Sequence, residues 1–298
     1  MAETVLLTGA AGLIGRYLHR MLRERGDTVI AIDRLGSDDI VSCDLSEVHR
    51  LHELAGAASA VVHCGAISGP MVARDNPYLI VQSNIVGTAN ILELARIRKM
   101  RRVVYCSSVS AFGDTPEGLD LVPEDVVLRP SSVYGASKAA GEHLLEGYRL
   151  QHGVDAVSLR PGWVYGPGRT TDCAIRTMIE DAQAGRETRF PFGRDFHRQY
   201  VHVQDVADAI LLALDAEKLP RRSYTINGGT YLTLGEVADI VRKVLPSARI
   251  EMGAGADPID DLQARFDLSA AERDLGFKPK VTLEDGIRSY AVWLAENG

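Results

Sequence analysis

The 298-residue sequence predicts a doubly wound α/β fold, a parallel sheet covered by helices on both faces, with a smaller C-terminal α/β lobe. Three observations lead there. Short apolar runs alternate with helix-length patterns through the first half of the chain. Those runs are apolar at successive positions, as in strands buried on both faces, and do not alternate apolar with polar. A glycine-rich turn joins the first run to the first helical pattern. Short connections and right-handed crossovers then give the doubly wound arrangement.

TVLLT (4–8) is the first strand, followed by a helix through LIGRYLHRMLRER. TVIAID (28–33) is the second strand, IVSCDL (40–45) the third and ASAVVHC (58–64) the fourth. One long helix is predicted from Pro77 to Lys99, then the strand RRVVYCSS (101–108). A helix carrying Tyr134 runs to Gln151 and leads to the strand VDAVSLRP (154–161). Beyond Gly166 the pattern loosens. A helix covers 172–185, QYVHV (199–203) is strand-like, and a helix starts near Asp205. SYTIN (223–227) is strand-like again, and helices at 233–244 and 283–296 close the chain. Residues 1–166 are therefore expected to form the first domain, with 199–226 returning to it. Residues 167–198 and 227–298 are expected to form the second lobe.

Composition narrows the function. The net charge is −7 with no Lys/Arg-rich tail. Nucleic-acid backbones and anionic membranes demand a basic face, so neither is an expected partner. Cys43, Cys64, Cys106 and Cys173 show no CxxC and no Cys/His cluster, so no metal site or disulfide framework is expected. The opening MAETVLLTGAAG lacks the charged and apolar regions of a signal peptide, and no apolar run is long enough to span a bilayer. A reducing, cytoplasmic location is expected.

Two local patterns carry chemistry. TGAAGLIG sets Gly9, Gly12 and Gly15, with Leu13 and Ile14 between the last two, directly after the first strand. Glycine permits a tight turn and close approach of backbone to a pyrophosphate, and the helix N-terminus offers free N–H groups. The spacing is GxxGxxG, which differs from GxGxxG. Asp33 ends the second strand, where a carboxylate can accept from adenosine ribose hydroxyls and repel a 2′-phosphate, favouring NAD over NADP. Arg34 follows it and could instead meet such a phosphate. The second pattern is YGASK. Tyr134 and Lys138 share one helix face, and an ammonium beside a phenol favours the phenolate. Such a phenol can take a proton from an alcohol or return it to a carbonyl. Alone, such a pair reads foremost as a surface contact worth only a few tenths of a kcal/mol. Ser107 and Ser108 change that balance, because they end the preceding strand on the side where ligands bind such sheets.

Together, TGAAGLIG, Asp33, CSSVSAFG, YGASK and LRPGWVYGPG resemble the extended short-chain dehydrogenase/reductase family, the group containing the NAD-dependent sugar epimerases and dehydratases. The resemblance covers nearly the whole chain. It implies a Rossmann-type domain with NAD as cofactor. It implies Tyr134 as acid/base, Lys138 as its tuning residue and nicotinamide-ribose contact, and Ser108 as the substrate-orienting serine, with Ser107 pointing to the other side of the strand. It further implies cofactor contacts at Asp44 and Leu45 in SCDL, at Cys64, Gly65 and Ala66 after His63, at Asn84 in QSNIVGTANILE, and at Pro161. A homodimer built on the 77–99 helix and the Tyr134 helix is likewise the family's habit.

The substrate is less determined. Arg198, before YVHV, resembles the arginine that contacts the diphosphate in UDP-sugar epimerases. In MGAGADPIDD, Asp257 matches the family's acid, but the arginine expected near it is absent, with Ala254 and Ala256 flanking Gly255. Loss of a cation weakens a diphosphate site. The leading expectation is thus an NAD-dependent oxidoreductase acting on a sugar-like, small polyhydroxy substrate. The alternative is a nucleotide-sugar 4-epimerase or related isomerase or dehydratase, and a third is a dinucleotide sensor without catalysis. Substrate contacts are expected at Ser68, Ser110, Trp163 and Arg198, with Met71, Tyr165 and Arg176 as further pocket candidates.

Overall fold

The structure, a computed structural model, describes residues 2–258 and 260–297. The first half carries strands β1 (Thr4–Thr8), β2 (Thr28–Asp33), β3 (Val41–Ser42), β4 (Ala60–His63), β5 (Arg102–Cys106) and β6 (Ala156–Pro161). The second half adds β7 (Trp163–Tyr165), β8 (Glu187–Phe190), β9 (His197–Arg198), β10 (Tyr200–His202), β11 (Ser223–Ile226), β12 (Leu232–Thr233) and β13 (Arg249–Met252). Helices α1 (Leu13–Glu24), α2 (Val48–Leu54), α3 (Pro77–Ile80), α4 (Gly87–Arg98) and α5 (Val133–His152) serve the first half. Helices α6 (Ala174–Gln183), α7 (Val203–Asp215), α8 (Leu234–Val244), α9 (Ser269–Leu275) and α10 (Leu283–Asn297) follow.

Seven strands form one parallel sheet in the order β11-β6-β5-β4-β1-β2-β3. Each central strand is apolar throughout because both faces are covered. Val5 and Leu7 of β1 join a core with Leu18, Leu22 and Ile210, on the side of α1 and α7. Leu6, between them, points the other way into a core with Ile91, Leu92 and Leu145, on the side of α4 and α5. This is the period of two that any strand imposes. A third core, around Tyr165, Met178, Val237, Ile287 and Tyr290, builds the C-terminal region from α6, α8 and α10.

Of residues 199–226, α7 packs on the first core and β11 extends the main sheet beside β6, whereas β10 pairs with β7 outside it. Val203 already opens α7, so the QYVHV strand ends at His202. The third strand is also shorter than its apolar run. It ends at Ser42, and just past it the Asp44 carboxylate accepts from the Ser46 N–H at 2.9 Å as the chain turns.

The predicted 77–99 helix is interrupted by a π segment, Val81–Val86. There the Asn84 side chain reaches back to the backbone of Ile67, and Gly87 passes so close to Leu45 that a Cβ would lie 2.9 Å from its side chain. The small pairs β8–β13 and β9–β12 are too short to show a period in sequence. Among the described residues no helix is long and apolar enough to cross a membrane.

Candidate active site

The C-terminal ends of β1, β2, β4, β5 and β6 open into one cavity of about 800 Å³. The phosphate-loop glycines lie at its floor. Gly9 has φ +71°, and a Cβ there would sit 2.6 Å from the Cys64 carbonyl carbon. At Gly15 a Cβ would fall 2.0 Å from the Gly9 oxygen, so α1 meets the loop only because no side chain intervenes. Gly12 caps α1 without a side-chain bond, and no acidic residue occupies the first turn. The leading N–H groups and positive helix end are left for an anion.

Asp33 faces the cavity with one carboxylate oxygen on the Ala11 N–H (3.1 Å) and the other on the Leu35 N–H (3.0 Å). It therefore couples the phosphate loop to the end of β2. Asp44, whose pKa is lowered chiefly by its hydrogen bonds from Ser46, and Leu45 continue the wall. Leu13, Ile14, Cys64, Gly65, Ala66 and Pro161 also line the cavity. A glycine cradle, an uncapped helix start and a carboxylate at the second strand end suit a dinucleotide lacking a 2′-phosphate, so the residues present fit NAD.

Tyr134 and Lys138 come from the first turns of α5. Ser132 caps this helix, its hydroxyl accepting the Gly135 N–H at 3.0 Å. Both side chains are buried yet line the cavity. The Lys138 Nζ donates to the Cys106 carbonyl at 2.7 Å and stands 5.0 Å from the Tyr105 ring centre and 5.9 Å from that of Tyr134. Burial opposes its charge, but the surrounding phenols of Tyr105 and Tyr134 outweigh burial and raise its pKa. The Tyr134 Oη lies 3.5 Å from Ser68 Oγ.

Ser108, two residues past β5, is extended and caps a short 3₁₀ turn, Val109–Ala111. Its hydroxyl accepts the Ser110 N–H at 3.1 Å and lies 3.2 Å from Ser110 Oγ. The Ser107 hydroxyl instead donates to Glu142 at 2.6 Å, on the far side of the strand.

Ser68, Met71, Ser110 and Trp163 line the same cavity. Four other predicted positions, Tyr165, Arg176, Asn84 and Arg198, do not. Tyr165 is fully buried in the third core, edge-on to Tyr200 and His202. Arg176 pairs with Glu180 at 2.8 Å. Asn84 sits behind the wall, where Oδ1 accepts the Ile67 N–H (2.8 Å) and Nδ2 donates to the Ile67 carbonyl (3.0 Å) and to Ser137 Oγ (2.9 Å). Its amide holds the loop that lines the cavity.

Arg198 occupies a small adjoining cleft, stacked 4.5 Å over Trp163 and paired with Asp257 and with Asp260, the latter at 2.8 Å. Sequence reasoning missed Tyr78 of α3, Gln82 and Ser83 of the π segment, and Arg169, Thr170 and Thr171, all of which line the cavity. The Gly166–Pro167–Gly168 turn was the available signal for the last three.

The family model described as NAD dependent epimerase/dehydratase family matches residues 5–227. UDP-glucuronate 4-epimerase 4 of Arabidopsis thaliana is 29% identical over 328 residues, spanning 97% of this chain and 75% of that protein. The Thermus thermophilus UDP-glucose 4-epimerase, solved with NAD, superposes with a TM-score of 0.88 at 28% identity, covering 99% of this chain and 100% of that one. MoeE5, solved with UDP-glucuronic acid and NAD, gives 0.89 at 27% identity, covering 98% and 99%. With a matched family model, a parallel sheet of the right order and a site that fits the cofactor, the chain belongs to the NAD-dependent epimerase/dehydratase family of extended short-chain dehydrogenase/reductase enzymes.

Proposed function

We propose that this protein is a nucleotide-sugar 4-epimerase acting on a UDP-linked hexose or hexuronate. The observation that carries the proposal is one cavity of about 800 Å³ joining a glycine cradle to Tyr134, Ser108 and Trp163. The similarity to a UDP-glucuronate 4-epimerase and a UDP-glucose 4-epimerase over nearly the whole chain supports this choice over simple oxidation of a free sugar.

Tyr134 acts as a phenolate stabilised by the Lys138 ammonium; it takes the proton of the sugar hydroxyl, becomes the neutral phenol and returns that proton when the hydride comes back. Ser108 turns its hydroxyl from Ser110 to the substrate oxygen and fixes its direction. When bound, NAD supplies the acceptor for the hydride that leaves the sugar carbon and the donor for its return. Inversion requires the oxidised sugar to turn between the two transfers while Tyr134 keeps its proton. The residues that hold the cofactor in this reading are Gly9, Gly12, Gly15, Asp33, Asp44, Lys138 and the 64–66 loop. A homodimer through α4 and α5, which leave Ile97 and Leu150 exposed, belongs to the same proposal and is checked by sedimentation.

The test is incubation with UDP-glucose and, separately, UDP-glucuronate. The matching 4-epimers should appear with no net NADH. Absence of both products, with no UDP binding, overturns the proposal. One observation favours a second reading, oxidation of a sugar or polyol without a diphosphate. Arg198 is already paired with two carboxylates. In that case NADH accumulates with a polyol or sugar acid and UDP-sugars have no effect.

A further inference from the structure

A line of hydrogen bonds runs beneath the cavity from the Gly65 amide to the backbone of Tyr134. The Gly65 N–H donates to Thr8 Oγ1 at 3.0 Å. Thr8 Oγ1 lies 2.7 Å from His63 Nδ1, and His63 Nε2 lies 3.0 Å from Thr88 Oγ1. Thr88 Oγ1 donates to the Asn84 carbonyl at 2.5 Å. The Asn84 Nδ2 donates to Ser137 Oγ at 2.9 Å, and Ser137 donates to the Tyr134 carbonyl at 2.7 Å. His63, Thr8, Thr88, Asn84 and Ser137 are all essentially buried.

Proton counting gives this line one direction. A hydroxyl has a single proton. That of Thr88 is committed to the Asn84 carbonyl, so Thr88 accepts from His63 and Nε2 carries the ring proton. Burial foremost, with the Lys138 ammonium nearby, lowers the His63 pKa to about 3, so the ring is neutral and Nδ1 is bare. Nδ1 then accepts from Thr8, whose remaining capacity meets the Gly65 N–H. No donor is duplicated and no acceptor is left facing another. The opposite tautomer would set Nε2 lone pair against an oxygen whose proton is already used.

The elements so joined carry the chemistry. Thr8 precedes Gly9 in the phosphate loop. Asn84 clamps both backbone groups of Ile67, in the loop that presents Ser68 to Tyr134. Ser137 lies between Tyr134 and Lys138 on α5.

We propose that His63 is a positioning residue, a neutral Nε2-protonated imidazole that fixes the 64–68 loop relative to Tyr134 through Thr8, Thr88, Asn84 and Ser137. Its effect on turnover rests on the reading of Tyr134 as the proton-handling group, whereas its tautomer and its hold on the loop do not.

The test uses the full chain. Long-range ¹H–¹⁵N spectra, with His63 assigned through its side-chain carbons, should show a protonated Nε2 and a bare Nδ1. Thr88→Val keeps the shape but removes the hydroxyl. It should speed hydrogen exchange at the Gly65 amide about tenfold or more, the scale of one lost buried hydrogen bond. It should also lower kcat by a similar factor while leaving KM within about twofold, since the lost bond touches no substrate. Thr88→Ser, which retains the hydroxyl, should restore both. A proton on Nδ1 overturns the proposal. So does a Thr88→Val protein with unchanged Gly65 exchange. If Thr88→Val does not fold, the tautomer in the native chain still decides. If no UDP-sugar turns over, the tautomer and the exchange rates decide apart from the proposed activity.

Discussion

At the scale of single residues, the Tyr134–Lys138 pair gains its meaning from burial. On an exposed helix an i, i+4 pair contributes a few tenths of a kcal/mol. Here both side chains are buried at the cavity edge, and the lysine is anchored on the Cys106 carbonyl. Tyr134→Phe removes the group to which the proposal assigns proton transfer and should lower turnover by about 10²–10⁴-fold, with NAD still bound. Steady-state kinetics beside a cofactor titration check this. Turnover within tenfold of the native chain would exclude Tyr134 as the acid/base. Asp33 makes a second prediction. With its carboxylate between the loop and the ribose position, Asp33→Ala should cut the ratio of NAD to NADP affinity by about tenfold or more, the range for hydrogen bonds to a charged group. An unchanged ratio would move cofactor choice to Arg34.

At the scale of elements, β5, α5 and β6 are tied by a buried charge cluster. Glu142 of α5 pairs with Arg160 of β6 at 2.5 Å and accepts from Ser107, the residue after β5. Arg160 also donates to the Glu124 carbonyl at 2.7 Å and lies 4.6 Å from the Phe112 ring centre. Removing one member of such a buried pair leaves the other uncompensated. Glu142→Ala should therefore destabilise the fold by about 3–5 kcal/mol, read as a lower urea midpoint. A shift under about 1 kcal/mol would mean that water or another group compensates Arg160. The phosphate turn is an element-scale constraint of another kind. Gly15→Ala adds one methyl carbon, but its position 2.0 Å from the Gly9 oxygen forces α1 away from the turn. NAD binding should be lost before the rest of the sheet, as circular dichroism with a cofactor titration would register.

At the scale of the whole molecule, buried neutral histidines set a response to mild acid. Burial, aided at His63 by Lys138, lowers the pKa of His63 to about 3, and burial lowers that of His202 to about 4. Both folded values lie below the unfolded one of about 6.5. The unfolded chain therefore binds protons first as pH falls. The histidines' contribution is fully present above pH 6.5 and is lost toward the folded values. Each histidine should cost about 1.4 kcal/mol per pH unit below 6.5. Burial raises Glu124, Asp205 and Asp260, the last to about 6, and these carboxylates act in the opposite sense as they protonate. Between pH 7.5 and 6 the two histidines outweigh Asp260, which is only half protonated at the lower end, so the urea midpoint should fall across that interval. A flat or rising midpoint would show that one of the two rings is charged in the folded protein.

The sequence by itself determined the parallel sheet, the phosphate turn, Asp33 and the Ser108–Tyr134–Lys138 set. Each rests on a local rule: apolar runs buried on both faces, glycine spacing, a strand-end carboxylate and an i, i+4 pair. The chain also declared its family through motifs whose order survives in one dimension. What the tertiary structure alone decided are matters of contact across distant segments. Asn84 turned from cofactor contact to loop clamp because Ile67 and Ser137 fold against it. The helix at 77–99 opened into a π segment where Asn84 meets that loop and Gly87 passes Leu45. Arg198 took two carboxylates from the 257–260 segment as partners. His63, a strand residue with no local signal, acquired a defined tautomer from two threonines 55 residues before it and 25 after it. Periodicity reports which face a side chain takes. It carries no record of which distant polar group will occupy that face, and here that pairing decides how the site is held.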